Sequence, residues 1–122
     1  MKVVYMSLTG QTVKFVGKLG LKSHRLVNEG DVYPIKEDYI LILPTYNHED
    51  NLDIVEMFIN TEDNKDFLKG VVGSGNRNFN DLFCISAKTI VKKYEVPLLH
   101  CFEFQGETRD VEIVRNEVEK LG

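Results

Sequence analysis

In Ser7-Leu8-Thr9-Gly10-Gln11-Thr12, three hydroxyls and a glycine stand where a short apolar run hands over to a helical pattern. A helix start leaves backbone N–H groups unpaired and carries positive partial charge. Hydroxyls at this spacing add donors, so the segment suits a phosphate. The plainer alternative is an ordinary N-cap, with Ser7 or Thr9 serving one amide. No GK[ST] follows, so this is not a Walker loop and nucleoside triphosphate hydrolysis is not expected.

Two further segments have suitable chemistry. In Pro44-Thr45-Tyr46-Asn47-His48-Glu49-Asp50-Asn51, Tyr46 follows an apolar strand and could stack on a flat ring, while Asn47 tolerates left-handed backbone. A polar surface loop with one partly packed tyrosine fits the same residues. His48, Glu49 and Asp50 are adjacent and cannot easily converge on one metal ion, so a solvated acidic loop is expected. In Gly73-Ser74-Gly75-Asn76-Arg77-Asn78-Phe79, the glycines shed side chains, the amides could read a ring edge and Phe79 offers a second flat wall. Asn76 or Asn78 could also cap the next helix. GVVGSG is not a GxGxxG fingerprint, because the glycine spacing is wrong.

No Ser-His-Asp or Cys-His set assembles, and His24 and His100 are expected to be structural. Cys84 and Cys101 form no CxxC or metal-ligand spacing, and are expected to behave as small buried hydrophobes. Redox chemistry here would require a cofactor.

These segments need elements to hold them. Residues 2–6 (KVVYM) form a β-rich run. Residues 11–19 place Val13, Val16 and Leu19 at helical spacing before Gly20. HRLV at 24–27 suits a brief strand, and YILIL at 39–43, apolar throughout, suits a strand covered on both faces. A helix over 52–59 carries Leu52, Val55, Met57, Phe58 and Ile59. A strand near 69–73 precedes a helix over 80–94 with Leu82, Phe83, Ile85, Ile90 and Val91 inward. Residues 96–104 supply the fifth strand, and Thr108 is the expected N-cap of a last helix bearing Val111, Val114, Val118 and Leu121. Five strands alternating with helices predict an α/β fold: a flavodoxin-like five-stranded parallel sheet in the order 2-1-3-4-5, with helices on both faces. Ligands of such sheets lie beyond the carboxyl ends of the strands, where the three segments fall.

The bulk numbers agree. The 122 residues suit one domain spanning 1–122, and 43% hydrophobic with 28% charged residues is ordinary for a globular chain. A net charge of −4, from 19 acids against 15 bases, argues against nucleic acid or an anionic membrane as partner. The apolar run at the amino terminus is too short for a secretory signal, and no stretch reaches the length of a membrane span. A cytoplasmic location is expected.

The three segments together, with KYEVPLL and FEFQGETRDV, closely resemble the NrdI family over nearly the whole chain. GNRNF and the tail are more specific than the phosphate loop, which ordinary flavodoxins share. The resemblance implies an FMN-binding flavodoxin-like protein working with the manganese-dependent class Ib ribonucleotide reductase. Carried over by position, Ser7, Leu8, Thr9, Gly10, Gln11 and Thr12 surround the FMN phosphate. Thr45, Tyr46 and Asn47 line one side of the isoalloxazine, and Ser74, Gly75, Asn76, Asn78 and Phe79 the other.

The implied activity is oxidation of the reduced flavin by dioxygen. The resulting superoxide or peroxide passes to the NrdF small subunit, where it activates the dimanganese-tyrosyl radical cofactor. This implies an accessory flavoprotein rather than a stand-alone metabolic enzyme, recharged by an unidentified reductant. A general flavodoxin-like electron carrier and a binding module that has lost its flavin remain as alternatives. NHEDN at 47–51 departs from the glycine-rich segment of many relatives. Acids there, if they face the ring, would disfavour an anionic reduced flavin.

Overall fold

The computed structural model describes residues 1–7, 10–45, 52–76 and 84–122. Among these the chain runs β1 (Lys2–Tyr5), α1 (Gln11–Leu19), β2 (Ser23–Arg25), a 3-10 turn (Glu29–Asp31), β3 (Tyr39–Leu43), α2 (Asp53–Ile59), α3 (Asn64–Phe67), β4 (Leu68–Gly75), α4 (Ile85–Tyr94), β5 (Leu98–Glu103) and α5 (Thr108–Leu121). The strands form a parallel sheet in the order β2-β1-β3-β4-β5, as the alternation of elements predicts.

The central position of β3 follows from its composition. All five residues of YILIL are buried, and their side chains alternate between two cores. Tyr39, Leu41 and Leu43 join Val55, Phe58 and Ile59 of α2 and Ala87 and Ile90 of α4 on one face. On the other, Ile40 and Ile42 meet Phe15, Val16 and Leu19 of α1 and Val111, Val114 and Val118 of α5. Phe15, absent from the expected α1 face, lies at the centre of this second core, stacked on Phe102 with ring centroids 3.9 Å apart. Met57 is the converse: expected with the α2 set, it is 44% exposed.

Several boundaries differ from expectation. Leu26 and Val27 fall outside β2. The fifth strand is confined to Leu98–Glu103, whereas β4 runs on to Gly75 because Ser74 and Gly75 still pair with Phe102 and Glu103. The N-cap of α5 is Glu107 rather than Thr108, since the Asp110 carboxylate accepts the Glu107 amide at 2.8 Å and draws that residue into the cap position. Of the helix expected over 80–94, residues 80–83 lie outside the described residues, and Cys84 holds a left-handed conformation (φ 58°) just before α4. Among the described residues, no helix is long and apolar enough to cross a membrane.

Candidate functional site

The sheet order creates the place where a ligand can enter. β1 lies between β2 and β3, and the chain leaves β1 and β3 toward opposite faces, into α1 and α2. The crevice between those departures is the topological switch point. Pairing of Tyr5 with Ile42, Leu43 with Gly73 and Gly75 with Glu103 brings Ser7, Thr45 and Asn76 to the same end of the sheet.

At the end of β1, Ser7 is buried and held at both polar groups. Its Oγ accepts the Gly10 amide at 3.2 Å, and its carbonyl accepts Arg25 Nη2 at 2.9 Å. The Ser7 hydroxyl therefore closes the turn and keeps its own proton to donate. Gly10 takes a left-handed conformation (φ 85°), which an L side chain rarely adopts, and caps α1 through its backbone alone. Among the described residues no side chain caps α1, and no acid lies in its first turn, so its positive end is not neutralised from within the helix. Thr12 is buried in that turn and Gln11 is exposed. Leu8 and Thr9 lie outside the described residues.

Beyond β3, the Thr45 Oγ1 is buried and finds no hydrogen-bond partner among the described residues. A buried hydroxyl without a partner costs free energy, about 1–3 kcal/mol in protein mutational data. Native structures rarely carry one without a reason. Tyr46, Asn47, His48, Glu49 and Asp50 lie outside the described residues, as does the electrostatic role expected of the acids.

At β4, Ser74 is buried, while Gly75 and Asn76 are half-buried. Asn78 and Phe79 lie outside the described residues. Gly73 corrects the sequence reading. Its missing side chain does not leave a bare floor for a ring, because α4 fills the space. A Cβ at Gly73 would lie 2.7 Å from Ala87 Cβ and 3.0 Å from Cys84 Cβ. The sequence shows a glycine run but not the helix that returns over it.

A separate groove of ≈640 Å³ runs between β5 and α5, lined in part by His100, Phe104, Arg109 and Asp110. The His100 Nε2 lies 2.7 Å from Asp110 Oδ1. Burial pushes the Asp110 carboxyl up. The hydrogen bonds from His100 and the Glu107 amide, and the charges of His100 and Arg109, outweigh it and hold the group below its ordinary value. His24 bridges the Asp31 carbonyl at 2.7 Å and the Tyr33 hydroxyl at 3.2 Å.

A family model described as "NrdI Flavodoxin like" matches residues 3–116. The chain belongs to the NrdI family. Among curated relatives, Protein NrdI of Wigglesworthia glossinidia brevipalpis is 44% identical over 125 residues, covering 98% of this chain and 88% of that protein. Protein NrdI of Brucella ovis is 36% identical over 124 residues, covering 98% and 92%. Solved structures support the fold. A Streptococcus pneumoniae flavodoxin aligns over 98% of this chain and 95% of its own, at 23% identity with a TM-score of 0.62. A short-chain flavodoxin associated with a non-canonical PDU bacterial microcompartment aligns over 98% and 94%, at 18% identity with a TM-score of 0.66. The flavodoxin-like family to which NrdI proteins belong implies a flavin.

Proposed function

We propose that this NrdI-family chain, as one domain over residues 1–122, binds FMN at the carboxyl ends of β1, β3 and β4. The observation that carries the reading is the buried Thr45 hydroxyl at the switch point, without a partner among the described residues. The start of α1, without a side-chain cap among the described residues and with no acid in its first turn, supports it on the phosphate side. These features fit the group: one offers a polar side chain awaiting a partner, the other a set of donors suited to an anion.

In this proposal Ser7, Leu8, Thr9, Gly10, Gln11 and Thr12 hold the phosphate. The first-turn amides of α1 act as donors and the Ser7 hydroxyl adds its proton. Thr45, Tyr46 and Asn47 flank the ring on one side, and Ser74, Gly75, Asn76, Asn78 and Phe79 on the other. The flavin supplies electron transfer to dioxygen; the protein binds it, orients it and limits its exposure to water. The superoxide or peroxide formed then serves NrdF, the small subunit of class Ib ribonucleotide reductase, in assembling its dimanganese-tyrosyl radical cofactor.

Two measurements test this. Purified protein, or protein mixed with FMN, is expected to show flavin absorbance that co-elutes with the chain. A colourless protein that leaves added FMN free would overturn the flavin reading. Apo NrdF is then incubated with Mn(II), the reduced protein and oxygen. Tyrosyl radical above a control lacking the protein is expected. A flavin-loaded protein that yields none would point to the general electron carrier.

A further inference from the structure

The space denied to a ligand at Gly73 is occupied by a thiol. A Cβ on Gly73 would lie 3.1 Å from Cys84 Sγ, so only a glycine lets the start of α4 settle this close to β4. Gly73 pairs in register with Cys101 of β5. Paired residues of neighbouring strands share a face, with the strands about 4.8 Å apart. Cys101 therefore points to the α4 side, whereas His100 points the other way, to Asp110 of α5. The two thiols meet beside Gly73, where the Cys84 and Cys101 side chains are hydrogen-bond partners and the Phe102 amide reaches Cys84. Both cysteines are in the thiol form, Cys84 buried and Cys101 half-buried.

We propose that Cys84 and Cys101 are a redox modification site, forming a reversible intramolecular disulfide when the protein meets hydrogen peroxide. Cys101 is the attacking thiol, because it has solvent access and its sulfur receives a hydrogen bond from Cys84. The bond with Cys101, then burial, holds the Cys84 thiol well above its ordinary range, so Cys84 keeps its proton. The Cys101 thiolate attacks the peroxide. An S–O bond forms, the O–O bond breaks, and the departing hydroxide takes a proton to leave as water. The Cys84 sulfur then attacks the Cys101 sulfenic acid. The S–S bond forms, the S–O bond breaks, and a second water carries away the Cys84 proton. Two thiols are oxidised, one peroxide is reduced, and a dithiol reverses the change. The cross-link ties the residue that caps α4 to the edge strand. It does not depend on flavin binding.

The test treats the full-length reduced protein with hydrogen peroxide, then denatures and alkylates it. Loss of both alkylatable thiols, an intact mass lower by about 2 Da and a linked peptide containing Cys84 and Cys101, all reversed by dithiothreitol, are expected. Cys84→Ser should accumulate oxygen on Cys101, and Cys101→Ser should leave Cys84 reduced. Oxygen adducts without the linked peptide in the wild-type protein, covalent dimers alone, or full retention of both thiols would overturn the proposal. So would oxidation of Cys84 in Cys101→Ser at the wild-type rate. The wild-type peptide map decides the point even if neither variant folds.

Discussion

The two ends of the sheet treat buried polar groups in opposite ways. At the amino ends of β3 and β4, Asn64 is buried and saturated. Its Oδ1 accepts the Ile35 amide at 2.8 Å, and its Nδ2 donates to the carbonyls of Tyr33 and Phe58 at 3.0 and 2.9 Å. Its own carbonyl accepts the Tyr39 hydroxyl at 2.9 Å. Burial, with Tyr94 adding to it, pushes the Tyr39 phenol up and keeps it a donor. At the carboxyl ends, the hydroxyl of half-buried Thr45 is itself buried and, among the described residues, unmatched, and among them no side chain caps α1. One end spends its hydrogen bonds on the fold. The other holds donors in reserve, which is what a binding site needs and what stability alone would not select.

The largest test of this division is Asn64→Ala. It takes the side-chain partner from the part-buried Ile35 amide and from the Tyr33 carbonyl, and one of two donors from the Phe58 carbonyl, which keeps the Thr61 amide. It should cost about 3 kcal/mol in chemical denaturation. FMN affinity of the folded variant should stay within about twofold of wild type. A larger loss would mean that the two ends are not separate. Gly73→Ala comes next, costing about 2 kcal/mol by overpacking against Ala87 and Cys84. That loss should be the same with and without FMN; weakened FMN binding at unchanged apo stability would restore Gly73 to the ligand site.

Asp110→Asn sharpens the comparison at the α5 end, where a carboxylate closes the cap and binds His100. About 1 kcal/mol should be lost at neutral pH. The folded pKa lies below the ordinary 3.8, so this contribution is present above 3.8 and is lost as pH falls through the lower, folded value. Stabilities of wild type and variant measured by urea titration should therefore converge in acid. Thr45→Val has the smallest effect on stability. Removing an unpartnered hydroxyl should leave the apo protein unchanged or up to about 1 kcal/mol more stable, while FMN binds about fivefold more weakly. Lower apo stability would show that Thr45 serves the fold.

The sheet was legible in the sequence because its signals are local. YILIL is apolar at every position, and Val111, Val114 and Val118 recur at helical spacing. Alternation of elements then leaves few topologies, and the topology brings Ser7, Thr45 and Asn76 to one end. The hidden features depend on partners distant in sequence. Asn64 reads as a loop residue until Tyr33, Ile35 and Tyr39 come round to it. Gly73 reads as a turn glycine until α4 crosses above it, and Cys84 and Cys101 are unrelated until β4 and β5 pair. Phe15, an aromatic beside Lys14, carries no local sign of the Phe102 ring it stacks on.

The central claim is that the carboxyl end is built for a phosphorylated flavin. Fluorescence titration of the apo protein with FMN and with riboflavin, in the same buffer, tests it most directly. The start of α1 and the Ser7 hydroxyl predict saturable FMN binding at least about tenfold tighter than that of riboflavin. Equal affinity for the two, or no quenching by FMN, would contradict it.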